Sequence, residues 1–320
     1  MLSGPGFSAI AALMVLGVLL DWWWGEVRRW HPLVGFGNLA MALERRLNGE
    51  VPLRFMRGAL AWMLAVVPLT ALAALLIWAL AVPLAQAAAH ALMLYFCLGL
   101  RSLRDHNLPI ADALARHDLP SARRLTSYIV SRDTTSASEV ELTRASAESL
   151  LENGNDAVFG TLFWFMVAGG PGAVLFRMAN TLDAMWGYRT PRFLQFGCAA
   201  ARIDDALNFI PARLTALSYV LLAPGLRGKR RAWQCWRVQA PAWDSPNAGP
   251  TMSSGAGALG VQLGGAATYH GELEYRPMLG DGPPATGADI GRAWQLVART
   301  TALWLAIACA TAATMEYLHA

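Results

Sequence analysis

From Gly58 to Leu100 the chain runs 43 residues without one formally charged side chain. A bilayer core about 30 Å thick is crossed by about 20 apolar residues in a helix, so this run holds two crossings, broken near Pro83. In hydrocarbon a chain must satisfy its own backbone N–H and C=O groups, which leaves the helix as the spanning form for such a run. The composition agrees. Of 320 residues, 55% are apolar and 15% charged, against about a quarter charged in soluble chains, and the mean hydropathy is +0.35. The 13 tryptophans suit interfacial belts. The expected fold is all-α: a polytopic integral-membrane helical bundle with cytoplasmic helical and loop segments.

Spans are expected at about 3–20, 58–80, 84–100 and 293–318, in a single membrane-embedded domain covering 1–320. Paired spans or re-entrant helices are expected at 157–176 and 206–223, where Gly169-Gly170-Pro171 and Pro211 interrupt the apolar pattern. Residues 1–20 lack the basic start and small-residue cleavage site of a signal peptide, so they read as a retained span. Asp21 at the end of that span needs a partner, for example Arg28 or Arg29. The arginines of 21–57 place that loop in the cytoplasm and the N-terminus outside. Segments 101–156 and 224–292 are then cytoplasmic too, the stretch from 244 on reading as a glycine-rich loop region. His90 in its apolar helix reads as a hydrogen-bonded packing residue. Arg299 is a polar intrusion in the final span.

Residue types exclude several chemistries. The net charge of +4 rests on arginine, because Lys229 is the only lysine. A Schiff-base lysine or a G-x-x-x-x-G-K-[ST] phosphate loop is therefore not in view, and phosphates must be met by arginine, backbone or metal. Cys97, Cys198, Cys235 and Cys309 are scattered, without metal or disulfide spacing. No nucleic-acid-binding module is visible.

Three polar clusters stand beside apolar helices. In the first, Ser131–Phe165, a helix should begin near Thr135 or Ser136, with Glu139 at capping-box distance. Glu141, Arg144, Glu148, Glu152 and Asn155 then recur at three- and four-residue steps along one face. Alone that pattern is a solvated face laced with ion pairs; in a chain built for lipid the carboxylates need a reason. The second cluster holds Asn180, Asp183, Tyr188 and Arg189, then Arg202, Asp204, Asp205, Asn208 and Arg213. Paired aspartates before an apolar segment need a cation or arginine. A Mg²⁺ site with oxygen ligands and an Asp/Arg network holding helix ends both fit. The third, 244–281, contains a formal G-x-G-x-x-G at Gly255–Gly260. With no strand before it, it reads as close backbone approach to an anion or another helix. His270 beside it could be a general base or a surface histidine.

Four motifs go further: DWWWGEVRRWHPLVGFG (21–37); SRDT with RASAESLLEN and LFWF (131–165); PGA through FRMANTLDAMWGYRTPR to AAARIDDALNFIPARLTA (171–216); and SPNAG with GALGVQLGG and TYHG (245–271). Together, in this order, they resemble the CobD/CbiB cobalamin-biosynthesis family. That resemblance implies a multi-pass protein of the cell (inner) membrane with a cytoplasmic active face. It implies an acid–amine ligase, adenosylcobinamide-phosphate synthase, joining adenosylcobyric acid to (R)-1-amino-2-propanol or its O-phosphate with ATP and Mg²⁺. The scarcity of lysine argues against the unrelated pyridoxal-dependent enzyme that shares the CobD name. On the implied chemistry, Glu148, Glu152 and His270 are catalytic candidates. Arg132, Asp133, Arg144, Asn153, Asn155, Asn180, Arg189 and Asn247 are substrate-binding candidates. Asp156, Asp183, Asp204 and Asp205 are metal candidates. Expected partners are the corrinoid, aminopropanol or its phosphate, ATP and membrane lipid, with other pathway enzymes or further copies of the chain, and no nucleic acid. A corrinoid or organic-anion transporter and a non-catalytic anchor of a pathway complex are the alternatives. The chain departs from the family pattern at Gly160-Thr161, where Ala-Pro is expected, and at Pro250-Thr251, where Trp-Pro is expected.

Overall fold

The computed structural model describes residues 6–27, 29, 31–49, 52–269 and 272–319. It divides into two compact units: Met1–Gly99 with Gly160–Asn208 and Leu305–Ala320, and Leu100–Phe159 with Phe209–Trp304.

The first unit is built from α1 (Phe7–Trp24), α2 (Pro32–Leu47), α3 (Arg54–Ala79) and α4 (Pro83–Cys97). To these it adds α8 (Gly160–Trp186), the start of α9 (Cys198–Leu222) and the end of α12 (Gly287–His319). The uncharged run is a pair of helices, parted as expected just before Pro83, which takes the first position of α4 where its missing N–H costs nothing. Pro32 does the same for α2, after His31 Nδ1 accepts a hydrogen bond from Leu33 N at 3.2 Å. The core joins Phe36, Trp62, Ala65, Leu182, Trp186 and Phe196.

By length and hydropathy five helical runs could cross a membrane: Phe7–Trp24, Arg54–Ala79, Pro83–Ala115, Glu139–Trp186 and Gly287–Leu318. The fourth is not one rod. Its backbone breaks at Ala168 (φ −139°, ψ 19°) and Gly169 (φ 63°, ψ −152°). A Cβ on Gly160 would lie 2.2 Å from Cζ of Phe176, although 16 residues of straight helix would hold the two about 24 Å apart. Residues 160–167 and 170–186 therefore form a helical hairpin. The first arm continues α7 (Glu139–Gly154) through the π-helical turn at Asn155–Phe159 without a break before Ala168. The expected segment at 157–176 contains this break. His90 supplies what the break requires: its Nδ1 accepts a 2.9 Å hydrogen bond from Gly170 N, satisfying a backbone group freed at the turn. Gly169 is required twice over, by its positive φ and by the His90 ring, 2.7 Å from where a Cβ would stand.

The second unit holds α5 (Leu100–Ala115), α6 (Leu119–Thr126), α7 (Glu139–Gly154) and a π-helical turn at Asn155–Phe159. It continues with the rest of α9, α10 (Gly225–Gln239), α11 (Ala248–Leu259) and the first part of α12. The expected glycine-rich loop after 244 is here a helix. All twelve residues of α11 are buried, because small side chains let neighbours come against its backbone. A Cβ on Gly255 would meet Leu151, and one on Gly257 would meet Ala232 and Cys235. The G-x-G-x-x-G is thus helix packing. After α11, β1 (Leu263–Gly264) pairs antiparallel with β4 (Met278–Leu279), and β2 (Ala267–Tyr269) with β3 (Glu272–Glu274). The expected 206–223 segment lies in α9, which starts earlier, at Cys198, and is not among the five apolar runs.

Candidate functional site

The organising helix α7 starts later than its sequence indicated. Asp133 Oδ1 accepts from Thr135 N at 2.8 Å and from Thr135 Oγ1 at 2.7 Å, which keeps Thr135 in a turn. The backbone hydrogen bond from Thr135 also holds the Asp133 carboxyl below its ordinary pKa. Ser138 caps instead, and its capping-box partner is Glu141: Ser138 N donates to Glu141 Oε2 at 2.8 Å.

The face read as potentially solvated turns inward. Glu148 is 2% exposed, and its carboxylate is saturated. Oε2 accepts from Arg132 Nη2 at 2.5 Å and from Arg276 Nη2 at 3.2 Å, while Oε1 accepts from Gly264 N at 2.8 Å. Arg144 Nη1 donates to Gly264 O at 2.6 Å, and Arg276 Nε to Gly265 O at 3.3 Å. Arg144, Arg276 and the Glu148 carboxylate thereby hold the Gly264-Gly265 turn, and Arg132 holds the carboxylate. The φ of 73° at Gly264, with Pro277 O only 2.1 Å from where a Cβ would stand, excludes any side chain there. Arg276 also stands over the Trp243 ring, 5.3 Å from its centroid. A buried charge with this many donors is an anchor.

One and two turns further along, Glu152 and Asp156 are partly buried. Glu152 lies in the polar half of the run, before the apolar segment that begins at Gly160. Desolvation, then the charges of Asp156 and Glu148, push its carboxyl up to about 7, against a smaller opposing pull from Arg276 and Arg132. The π-helical turn falls at Asn155, whose Oδ1 accepts from Thr215 Oγ1 at 2.9 Å and whose Nδ2 donates to Asp156 Oδ1 at 3.1 Å. Turns of this kind are frequent at functional sites. Asn153 Nδ2 donates to Ser149 Oγ at 3.0 Å. Beside the anchor, Arg132, Asp133, Glu141 and Arg144 line a cavity of about 40 Å³, with room for a few waters. Asn247, also in this unit, is buried and accepts from Arg213 Nη1 at 2.8 Å.

The remaining candidates belong to the first unit. Asp204 is buried between two amides, accepting from Asn208 Nδ2 at 3.1 Å and from Asn180 Nδ2 at 3.4 Å. Asp183 and Asp205 are partly buried and Arg189 is exposed. Among the described residues no three acidic, histidine or cysteine side chains are gathered as a metal site. His270 lies outside the described residues. The residue sequence reading left without a part is Arg276; its signal was its place eleven residues after Gly265, in the same polar cluster.

The family described as CobD/Cbib protein matches residues 14–297. The chain belongs to this family. It is 56% identical over 297 residues to the cobalamin biosynthesis protein CobD of Stutzerimonas stutzeri, covering 92% of this chain and 96% of that one. It is 52% identical to the protein of the same name from Chromobacterium violaceum, over 97% and 99% of the two chains. The namesake from Mycobacterium tuberculosis is 40% identical over 88% of each. No solved structure matches. The residues at 160–161 and 250–251, where other residues are expected, have local roles. Gly160 seats the Phe176 ring, and Thr161 Oγ1 donates to Cys97 O at 3.5 Å. Pro250 and Thr251 are buried in the first turn of α11, where Thr251 Oγ1 donates to Ala248 O at 3.1 Å.

Proposed function

We propose that the chain acts in cobalamin biosynthesis as a membrane ligase. A phosphoryl group from ATP passes to the carboxylate of adenosylcobyric acid. The amine of (R)-1-amino-2-propanol, or of its O-phosphate, then attacks the acyl phosphate, forming the amide and releasing phosphate. The observation that carries this reading is the Glu148 anchor with Glu152 poised beside it, in a chain of this family. A carboxylate is a poor acyl donor and an ammonium is no nucleophile. The reaction therefore needs charge-assisted grips for phosphate, and a base that is half ionised near neutral pH.

In this reading Glu152 takes the proton from the attacking amine. Glu148 is a positioning residue, since its oxygens are already occupied by Arg132, Arg276 and Gly264 N. Arg132 and Arg144 hold phosphate oxygens by charge-assisted bonds, which requires the 264–267 turn to move, because the cavity beside them is small. Asn153, partly buried, presents its amide to corrinoid amides, whereas Asn155 is buried between Thr215 and Asp156 and reads as structural. Mg²⁺ needs few protein ligands, one or two carboxylates with water and phosphate making up the rest. Asp156, whose charge bears on Glu152, fits as such a ligand. The ion would neutralise phosphate charge. In the first unit the Asp204–Asn180–Asn208 cluster has amide partners in place and reads as structural.

The arginine-rich segments support a reaction at the cytoplasmic face of the cell membrane. The test is purified protein with adenosylcobyric acid, aminopropanol with and without phosphate, and Mg-ATP, read by mass spectrometry. An amide product that depends on ATP supports the ligase. The broken α8 favours one other reading, a corrinoid transporter, which is shown instead by flux into proteoliposomes without amide formation.

A further inference from the structure

Arg299 is a charged residue of the final apolar helix, and the proposed reaction leaves it unused. With Arg292 and Gln295 it forms one side of a cavity of about 220 Å³, whose other side includes Ala223, Pro224 and Leu259. Arg292 is partly committed: Nη1 donates to Asp289 Oδ1 at 2.5 Å and Nη2 to Leu259 O at 2.6 Å. Gln295 and Arg299 are exposed. An exposed guanidinium on a helix apolar enough to cross a bilayer is costly unless it finds an anion or reaches the interface. Pro224 also opens α10, which exposes Leu226, Trp233 and Val238 alongside Arg227, Arg230 and Arg237. That mixture of bare apolar and basic side chains is the composition of a helix lying in a membrane interface.

We infer that this cavity binds the phosphodiester headgroup of an anionic phospholipid. Arg299 and Gln295 donate to the phosphate oxygens, and Arg292 adds charge from the side. Basic pockets between membrane helices take such headgroups, and the cavity is built from residues separate from the Glu148 anchor. The inference does not depend on the ligase reading.

The test is native mass spectrometry of the full-length protein in detergent, titrated with phosphatidylglycerol or phosphatidylcholine. Phosphatidylglycerol should bind in preference. R299Q should weaken it about fivefold, the equivalent of about 1 kcal/mol for one basic residue at a membrane surface, and weaken phosphatidylcholine, whose choline cation offsets its phosphate, by less. R299K should restore most of the loss, and Q295A should give a smaller loss in a protein whose melting is unchanged. Equal binding of the two lipids, or undiminished phosphatidylglycerol binding by both R299Q and Q295A, would overturn the inference. So would displacement of the lipid by excess inorganic phosphate, which would mark a soluble-anion site.

Discussion

Arg132 Nη2 lies 2.5 Å from Glu148 Oε2, joining the loop before α7 to the middle of that helix. Arg276 reaches the same oxygen from the far side. Both guanidinium side chains are nearly as enclosed as the carboxylate, 11% and 12% exposed. Removing the shared charge leaves two buried cations without compensation. E148Q is expected to lose about 3–5 kcal/mol of stability together with activity. Thermal melting in detergent checks this: an unchanged melting temperature with lost activity would move Glu148 from positioning to chemistry.

Glu152 should behave in the opposite way. Its folded carboxyl stands at about 7, above its ordinary value of 4.5, so the folded state binds more protons than the unfolded chain between those values. Its contribution to stability therefore falls as pH rises from about 4.5 to about 7. E152Q, which cannot ionise, is expected to gain stability relative to the parent across that window while losing ligase activity. The parent's rate should rise with pH as Glu152 ionises. Melting curves and initial rates from pH 5 to 8.5 test both, and retained activity in E152Q would remove it as the base.

The contrast between these two glutamates marks the limit of what the sequence discloses. The helical period put Glu148, Glu152 and Asn155 on one face, and the composition required a membrane bundle; both follow from local pattern and hold in the structure. What the period could not disclose is direction. Glu148 is buried because Arg276, 128 residues further on, and the Gly264 turn come to meet it. The helix α11 was hidden for a related reason. Glycine, alanine and serine are read locally as loop, but here their small size permits close helix packing. The Gly169-Gly170-Pro171 break was visible, whereas the reversal it produces needed the contact between Gly160 and Phe176.

That reversal has a topological consequence. If 160–167 and 170–186 form a re-entrant hairpin, the polar segments before and after them lie on the same side of the membrane. Single cysteines at Ser136 and Tyr188, both exposed, in a background lacking the native thiols, should then react with an impermeant maleimide from the same side in oriented vesicles. Labelling from opposite sides would make the segment a simple span.

The hairpin also predicts a stability cost at its turn. Gly169 holds a φ of 63° against the His90 ring, so G169A adds both backbone strain and a clash, and is expected to cost more than about 1 kcal/mol. H90A instead strips the acceptor from Gly170 N and leaves a buried donor unmatched, about 1–3 kcal/mol. Because G169A pushes against the ring that H90A removes, the double variant should be less destabilised than the sum of the two single changes. A double-mutant cycle on detergent melting reads this directly. Simple additivity would mean that the histidine and the turn are not coupled, and that some other group satisfies the broken backbone.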